Sequence, residues 1–199
     1  MTSQEIIDTT QAVNADLAPK FKVYTARHLS KIEQLDKLPE SIRDEMEVVA
    51  EVLPFRVNQY VIDELIDWNN PVEDPLFQLT FPQRGMLKPE HFDLVKQAKD
   101  TGDKDALKQA VAEVREALNP HPAGQLEHNI PKVNGEPVQG IQHKYNETVL
   151  FFPSSGQVCH SYCTFCFRWA QFVGDNSLKI AAKESGQLQD YLREHKEVT

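Results

Sequence analysis

The sequence predicts an α/β fold, with a helical N-terminal region followed by the first βα unit of a larger parallel architecture. Three observations predict it. Apolar residues recur at helical spacing through the first 120 positions. A continuous apolar run, Thr148 to Phe152, then reads as a strand. A second amphipathic stretch, Gln187 to Lys196, follows it, with Val198-Thr199 placed to begin another strand.

The helical elements come first. Ile42, Met46, Val49 and Leu53 share a helical face after the start signals Pro39 and Ser41. Val57, Val61 and Leu65 continue that pattern after Pro54, and Asn69-Asn70-Pro71 breaks it. The stretch Pro71 to Pro89 holds four prolines and one glycine and reads as an extended connector. Pro89 begins another helix with Phe92, Val95 and Ala98 on one side. Thr101-Gly102-Asp103 reads as a turn and a cap. Leu107, Ala110, Val111, Val114 and Leu118 then form the clearest stripe in the chain, of the kind that packs against neighbouring helices.

From Asn119 to Gly140 the composition is rich in Pro, Gly, His and Asn and has no periodicity. The run Thr148 to Phe152 has no alternation, which suits a strand buried on both faces. The expected organisation is a helical region over 1–120, an irregular connector over 121–146 and a βα segment over 147–199. A lone βα unit cannot cover a parallel strand, so the expectation is the front of a longer α/β protein.

Composition narrows the function. The chain has 199 residues, 21 basic against 30 acidic, for a net charge of −9. That balance argues against non-specific binding to nucleic acid or to anionic membrane. No apolar run approaches the roughly 20 residues that span a bilayer, and Met1 to Lys20 has no apolar signal region. The expected compartment is cytoplasmic, with free thiols.

All three cysteines, Cys159, Cys163 and Cys166, fall within eight residues. Thiolates bind borderline and soft metals, and three on one loop can cap one face of a metal centre. Structural zinc sites usually pair two Cys-x2-Cys units, or one with histidines. Here only Cys163 and Cys166 have that spacing, with His160 or His195 as a conceivable fourth ligand. A redox Cys-x-x-Cys pair leaves Cys159 unexplained. A four-iron cluster held by three thiolates keeps one iron open to a small molecule. At low potential such a cluster can pass one electron to a bound sulfonium.

The segment Cys159-His160-Ser161-Tyr162-Cys163-Thr164-Phe165-Cys166 resembles the CxxxCxΦC signature of the radical S-adenosylmethionine superfamily. Flanking features are similar to the lysine 2,3-aminomutase family: Asp74-Pro75 with a Gln-rich segment after it, Gly140-Ile141-Gln142-His143-Lys144-Tyr145 before the strand, and Cys166-Phe167-Arg168. The likeness runs from about Tyr60 to Thr199.

The resemblance implies the start of a partial TIM-type (β/α) barrel, present as an N-terminal portion. It implies a 4Fe-4S cluster on Cys159, Cys163 and Cys166, and S-adenosylmethionine with its adenine against Phe165. It implies an amino-acid substrate whose carboxylate meets Arg168, and amino-group migration started by a 5′-deoxyadenosyl radical. It also implies pyridoxal phosphate, whose imine-forming lysine lies later in the family than this chain reaches. Lys144 matches a basic position of the family's phosphate site, and Thr148 stands where an arginine is common. A second copy or a complementing barrel chain is the expected protein partner.

The bland readings of single residues are a surface charge for Arg168, core for Phe165, and packing for Trp169 and Phe172. His121, His128 and His143 read as structural histidines, and Asp63-Glu64 and Glu45-Glu47 as solvated helix faces. Two further function classes are compatible with the sequence: a zinc-stabilised binding module and a non-enzymatic helical interaction domain.

Overall fold

The computed structural model describes residues 22–118, 127–154, 157, 159, 161–166, 168–175, 178–182 and 186–199. The expectations for Met1 to Lys20, His121, His160 and Phe167 lie outside them.

Three helices supply the frame. α1 (Glu40–Val52), α3 (Pro89–Asp100) and α4 (Lys104–Ala117) form where the apolar spacing predicts them. Pro89 occupies the first turn of α3, where its missing N–H costs nothing. The side chain of Asp103 caps α4 by accepting from the Asp105 and Ala106 amides. Gly102 reverses the chain between α3 and α4 at φ 72°. Val49, Val52, Val95 and Val114 meet in the interior with no accessible surface. Each such valine contributes roughly 1.5 kcal/mol or more on burial. The exposed Lys96–Asp100 ion pair on α3 adds little beside that.

The first correction follows α1. The helical pattern does not continue through Val57. Arg56–Asn58 forms strand β2, antiparallel to β1 (Val23–Thr25), and Val61–Leu65 forms a π-helical turn. Val57 points fully inward from that strand. A β-branched residue suits either element, and the pairing with a distant segment decides.

The second correction is the proline-rich connector. It contains α2 (Pro75–Thr80), started by Pro75 with Asp74 as N-cap accepting from Phe77 N. Phe77 and Phe81 bury completely and stack with ring centroids 4.8 Å apart. Trp68 meets both edge-on, and Phe55 packs on Phe81. The connector therefore carries a second core, continuous with β1, β2 and the turns at Ala26–Lys31 and Glu33–Lys37.

The third correction concerns the expected doubly buried strand. β6 (Thr148–Phe151) pairs antiparallel with β5 (Ile141–Tyr145) in a two-stranded hairpin. Its residues alternate between exposed and half-buried, and Leu150 is 50% exposed. The hairpin straddles the expected boundary between 146 and 147. Before it, β3 (Lys132–Val133) and β4 (Glu136–Pro137) form a small ribbon in the region expected to be irregular. Asn134 and Gly135 take φ of 53° and 83° at its tip, the signs a type I′ turn requires.

α5 (Gly186–Glu194) forms as expected, with Tyr191 buried. His143 Nδ1 lies 2.5 Å from the Tyr191 hydroxyl, which ties β5 to α5 and bears out the structural reading of that histidine. Val198-Thr199 does not begin a strand, although Thr199 N–H donates to Glu147 O at 3.3 Å. Among the described residues the strands pair in two-stranded ribbons and no barrel closes. The architecture is mixed helix with small sheets, and one parallel bridge, Pro153 to Ala182, joins the end of β6 to the segment before α5.

Gly140 makes that junction possible. It sits at φ 71°, and a Cβ placed there would lie 2.3 Å from Ala182 N and 2.6 Å from Ala181 C. Around it Phe152 N–H donates to Gly140 O, Ala182 N–H to Phe152 O, and Ser154 N–H to Ala182 O. Gly140→Ala therefore adds both backbone strain and a collision with main chain. It is expected to lower stability by roughly 2 kcal/mol or more, measured by thermal or urea unfolding. An unchanged midpoint would contradict the packing described here.

Candidate iron–sulfur loop

The loop bearing the cysteines follows β6 and lies back on the N-terminal layer. Tyr162 N–H donates to Arg56 O on β2 at 2.7 Å. Thr164 N–H donates to Leu79 O at 2.8 Å, and its hydroxyl to Gln78 O at 2.9 Å, both near the end of α2. Tyr162, Trp169 and Ala170 are buried in the same core as α1, α3 and α4, with Cys166 and Phe172 packed against it. Trp169 and Phe172 are thus packing residues, as read from the sequence.

Cys166 N–H donates to Cys163 O at 3.0 Å, closing a turn over the Cys-x2-Cys segment. Phe165 lies in that turn and is 78% exposed. It is therefore no part of the core among the described residues. Arg168 is exposed, with its guanidinium carbon 5.6 Å from the Phe152 ring centre.

All three cysteines are half-buried free thiols. Burial first, and then the charges of Cys166, Cys163 and Cys159, push the Tyr162 phenol far above its ordinary range. The three sulfurs therefore share one electrostatic neighbourhood around Tyr162. Burial also raises Cys166, opposed by the Arg168 backbone N–H and less by the Arg168 charge. That N–H and that cation are the contacts that would stabilise negative charge on sulfur.

Does this set fit the cluster the sequence implies? The donor chemistry fits: three thiols on one loop, with a backbone N–H turned to one sulfur. The side chains are not gathered into ligating positions, since no group of three His, Cys, Asp or Glu able to hold a metal ion occurs among the described residues. His195 faces elsewhere, 2.6 Å from Glu197 and stacked on Tyr191 at 4.0 Å between centroids, so it does not complete a zinc site with the cysteines.

The expected phosphate site fits poorly. Lys144 leans over the Tyr145 ring at 5.5 Å, and opposite Tyr145 stands Thr148, a hydroxyl instead of a second cation. One lysine on an exposed hairpin is a thin donor set for a phosphate dianion.

The sequence analysis assigned no role to Tyr162. An aromatic between two ligand candidates was the available signal. Arg56, which accepts the loop through its main chain, carries no sequence signal at all.

The raised Cys166 has a direct consequence. In the metal-free, reduced protein its thiol stays neutral at pH 7 and ionises only as pH rises past the ordinary thiol range. Residue-resolved alkylation should therefore give a Cys166 pH profile displaced upward from that of a free thiol. A profile displaced downward would contradict the burial assigned to it.

Among the described residues no helix is long and apolar enough to cross a membrane. No family model matches the sequence, and no solved structure matches it. Among curated proteins, a relative from Aquifex aeolicus (strain VF5) bears the name "Putative L-lysine 2,3-aminomutase". It is 26% identical over 172 residues, which is 86% of this chain and 35% of that protein. The chain thus spans about a third of the length of a distant relative whose name denotes an amino-acid aminomutase.

Proposed function

We propose that the chain carries the iron–sulfur loop of a radical S-adenosylmethionine enzyme of the lysine 2,3-aminomutase type. The observation that carries this reading is the spacing of Cys159, Cys163 and Cys166 on one loop that Tyr162 and Thr164 anchor to Arg56 and Leu79. The distant aminomutase-named relative supports the same class.

In this reading Cys159, Cys163 and Cys166 would hold a four-iron cluster with one coordination position left for S-adenosylmethionine. The chemistry it would supply when bound is one-electron reduction of the sulfonium. The chain's own residues set the surroundings. Phe165, exposed in the Cys163–Cys166 turn, offers a flat apolar face for the adenine. The Arg168 guanidinium, exposed beside Cys166, offers a planar pair of donors to an amino-acid carboxylate. Tyr162 and Trp169, buried beneath the loop, seat it on the core of α1, α3 and α4. The poor phosphate set at Lys144 and Thr148 leaves pyridoxal phosphate out of this reading. A second copy or a complementing chain as partner, and a cytoplasmic setting, belong to the same reading.

Anaerobic reconstitution with iron and sulfide tests the proposal. The reduced protein should show the electron paramagnetic resonance of a 4Fe-4S centre, perturbed by S-adenosylmethionine. Cys163→Ala should remove the signal and most of the bound iron. A wild-type chain that takes up no iron, or takes up one zinc instead, would overturn the assignment.

A further inference from the structure

A cavity of about 640 Å³ opens between the N-terminal layer and the inner side of the cysteine loop. Arg27, Arg56, Arg115 and Lys179 all line it, and no carboxylate occurs among its described lining residues. In a chain of net charge −9, four cations on one concave surface are a local inversion of the field.

The four differ in what they have left to give. Arg115 is committed: its Nε donates to Val52 O at 2.8 Å and its terminal nitrogen to Glu51 O at 3.0 Å, with Asp175 and Glu51 nearby. Arg27, Arg56 and Lys179 make no ion pair among the described residues. Arg56 Nε is shielded from solvent and donates to nothing there. Gln157 is fixed by donating to Ile180 O at 3.2 Å, and its Oε1 is shielded and accepts nothing. Shielded donors and acceptors are normally satisfied. Arg56 thus keeps hydrogen-bonding capacity that no group among the described residues takes up.

We infer that this cavity is a binding site for a small oxyanion, a phosphate or a polycarboxylate. Its negative oxygens face Arg27, Arg56 and Lys179. The site needs no cluster, and through the ligand it joins β2 and the turn at Ala26–Lys31 to the segment bearing Lys179.

The test uses the whole chain, metal-free and reduced, titrated calorimetrically at constant ionic strength with inorganic phosphate, pyrophosphate and citrate. Saturable one-site binding of at least one probe is expected. Tighter binding by pyrophosphate assigns a phosphate ligand, and tighter binding by citrate assigns a carboxylate. Arg56→Gln and Lys179→Met should each weaken binding at least tenfold, while Lys96→Met, outside the cavity, should not. Arg56 lies in β2, so Arg27→Gln and Lys179→Met carry the test if the Arg56 variant fails to fold. Absence of saturable binding by all three probes, or unchanged affinity in folded Lys179→Met and Arg27→Gln, overturns the inference.

Discussion

The structure depends on how the cysteine loop is fastened to the helical layer. The amides of Tyr162 and Thr164 reach across to the carbonyls of Arg56 and Leu79. The Thr164 hydroxyl reaches Gln78 O. A loop after a short hairpin would otherwise have no reason to hold three sulfurs near one another. Ordering each backbone residue costs roughly 1–2 kcal/mol, and one net hydrogen bond returns about 1 kcal/mol. The hydrogen bonds alone therefore do not hold the loop. Burial of Tyr162 and Trp169 against Val49, Val95 and Val114 supplies the difference.

This arrangement explains why the N-terminal region is built as it is. Its two cores do separate things. The core around Phe77 and Phe81 fixes α2 and β2, whose carbonyls receive the loop. The core around α1, α3 and α4 receives the loop's aromatic side chains. Gly140 lets the β5–β6 hairpin approach the Ala181-Ala182 backbone, and so sets where the loop departs. The sulfur neighbourhood is thus positioned from both ends by elements far apart in sequence.

Much of the helical frame was legible in the sequence. The stripes of α1, α3 and α4 and the Asp103 cap follow from spacing and from one side-chain acceptor. Other elements were hidden for physical reasons. Val57 fits helix or strand equally, and β1, over 30 positions earlier, decides. Pro75 reads as a breaker and also as a helix start, and Asp74 accepting from Phe77 N selects the second. The run Thr148 to Phe152 is apolar throughout, so its alternating burial is imposed by pairing with β5 and cannot be seen in the run itself. Asn134-Gly135 was a readable turn signal that composition obscured. For the site, the placement of the three cysteines on one loop was legible from spacing. The brace beneath them was not, because main-chain acceptors such as Arg56 O leave no mark in a side-chain pattern.

Native-state hydrogen exchange at the Tyr162 and Thr164 amides tests the central claim most directly. The fastening described here predicts that both exchange as slowly as the interior amides of α1, in the metal-free chain. Exchange of both at the rate of an unstructured loop, with α1 still protected, would contradict it.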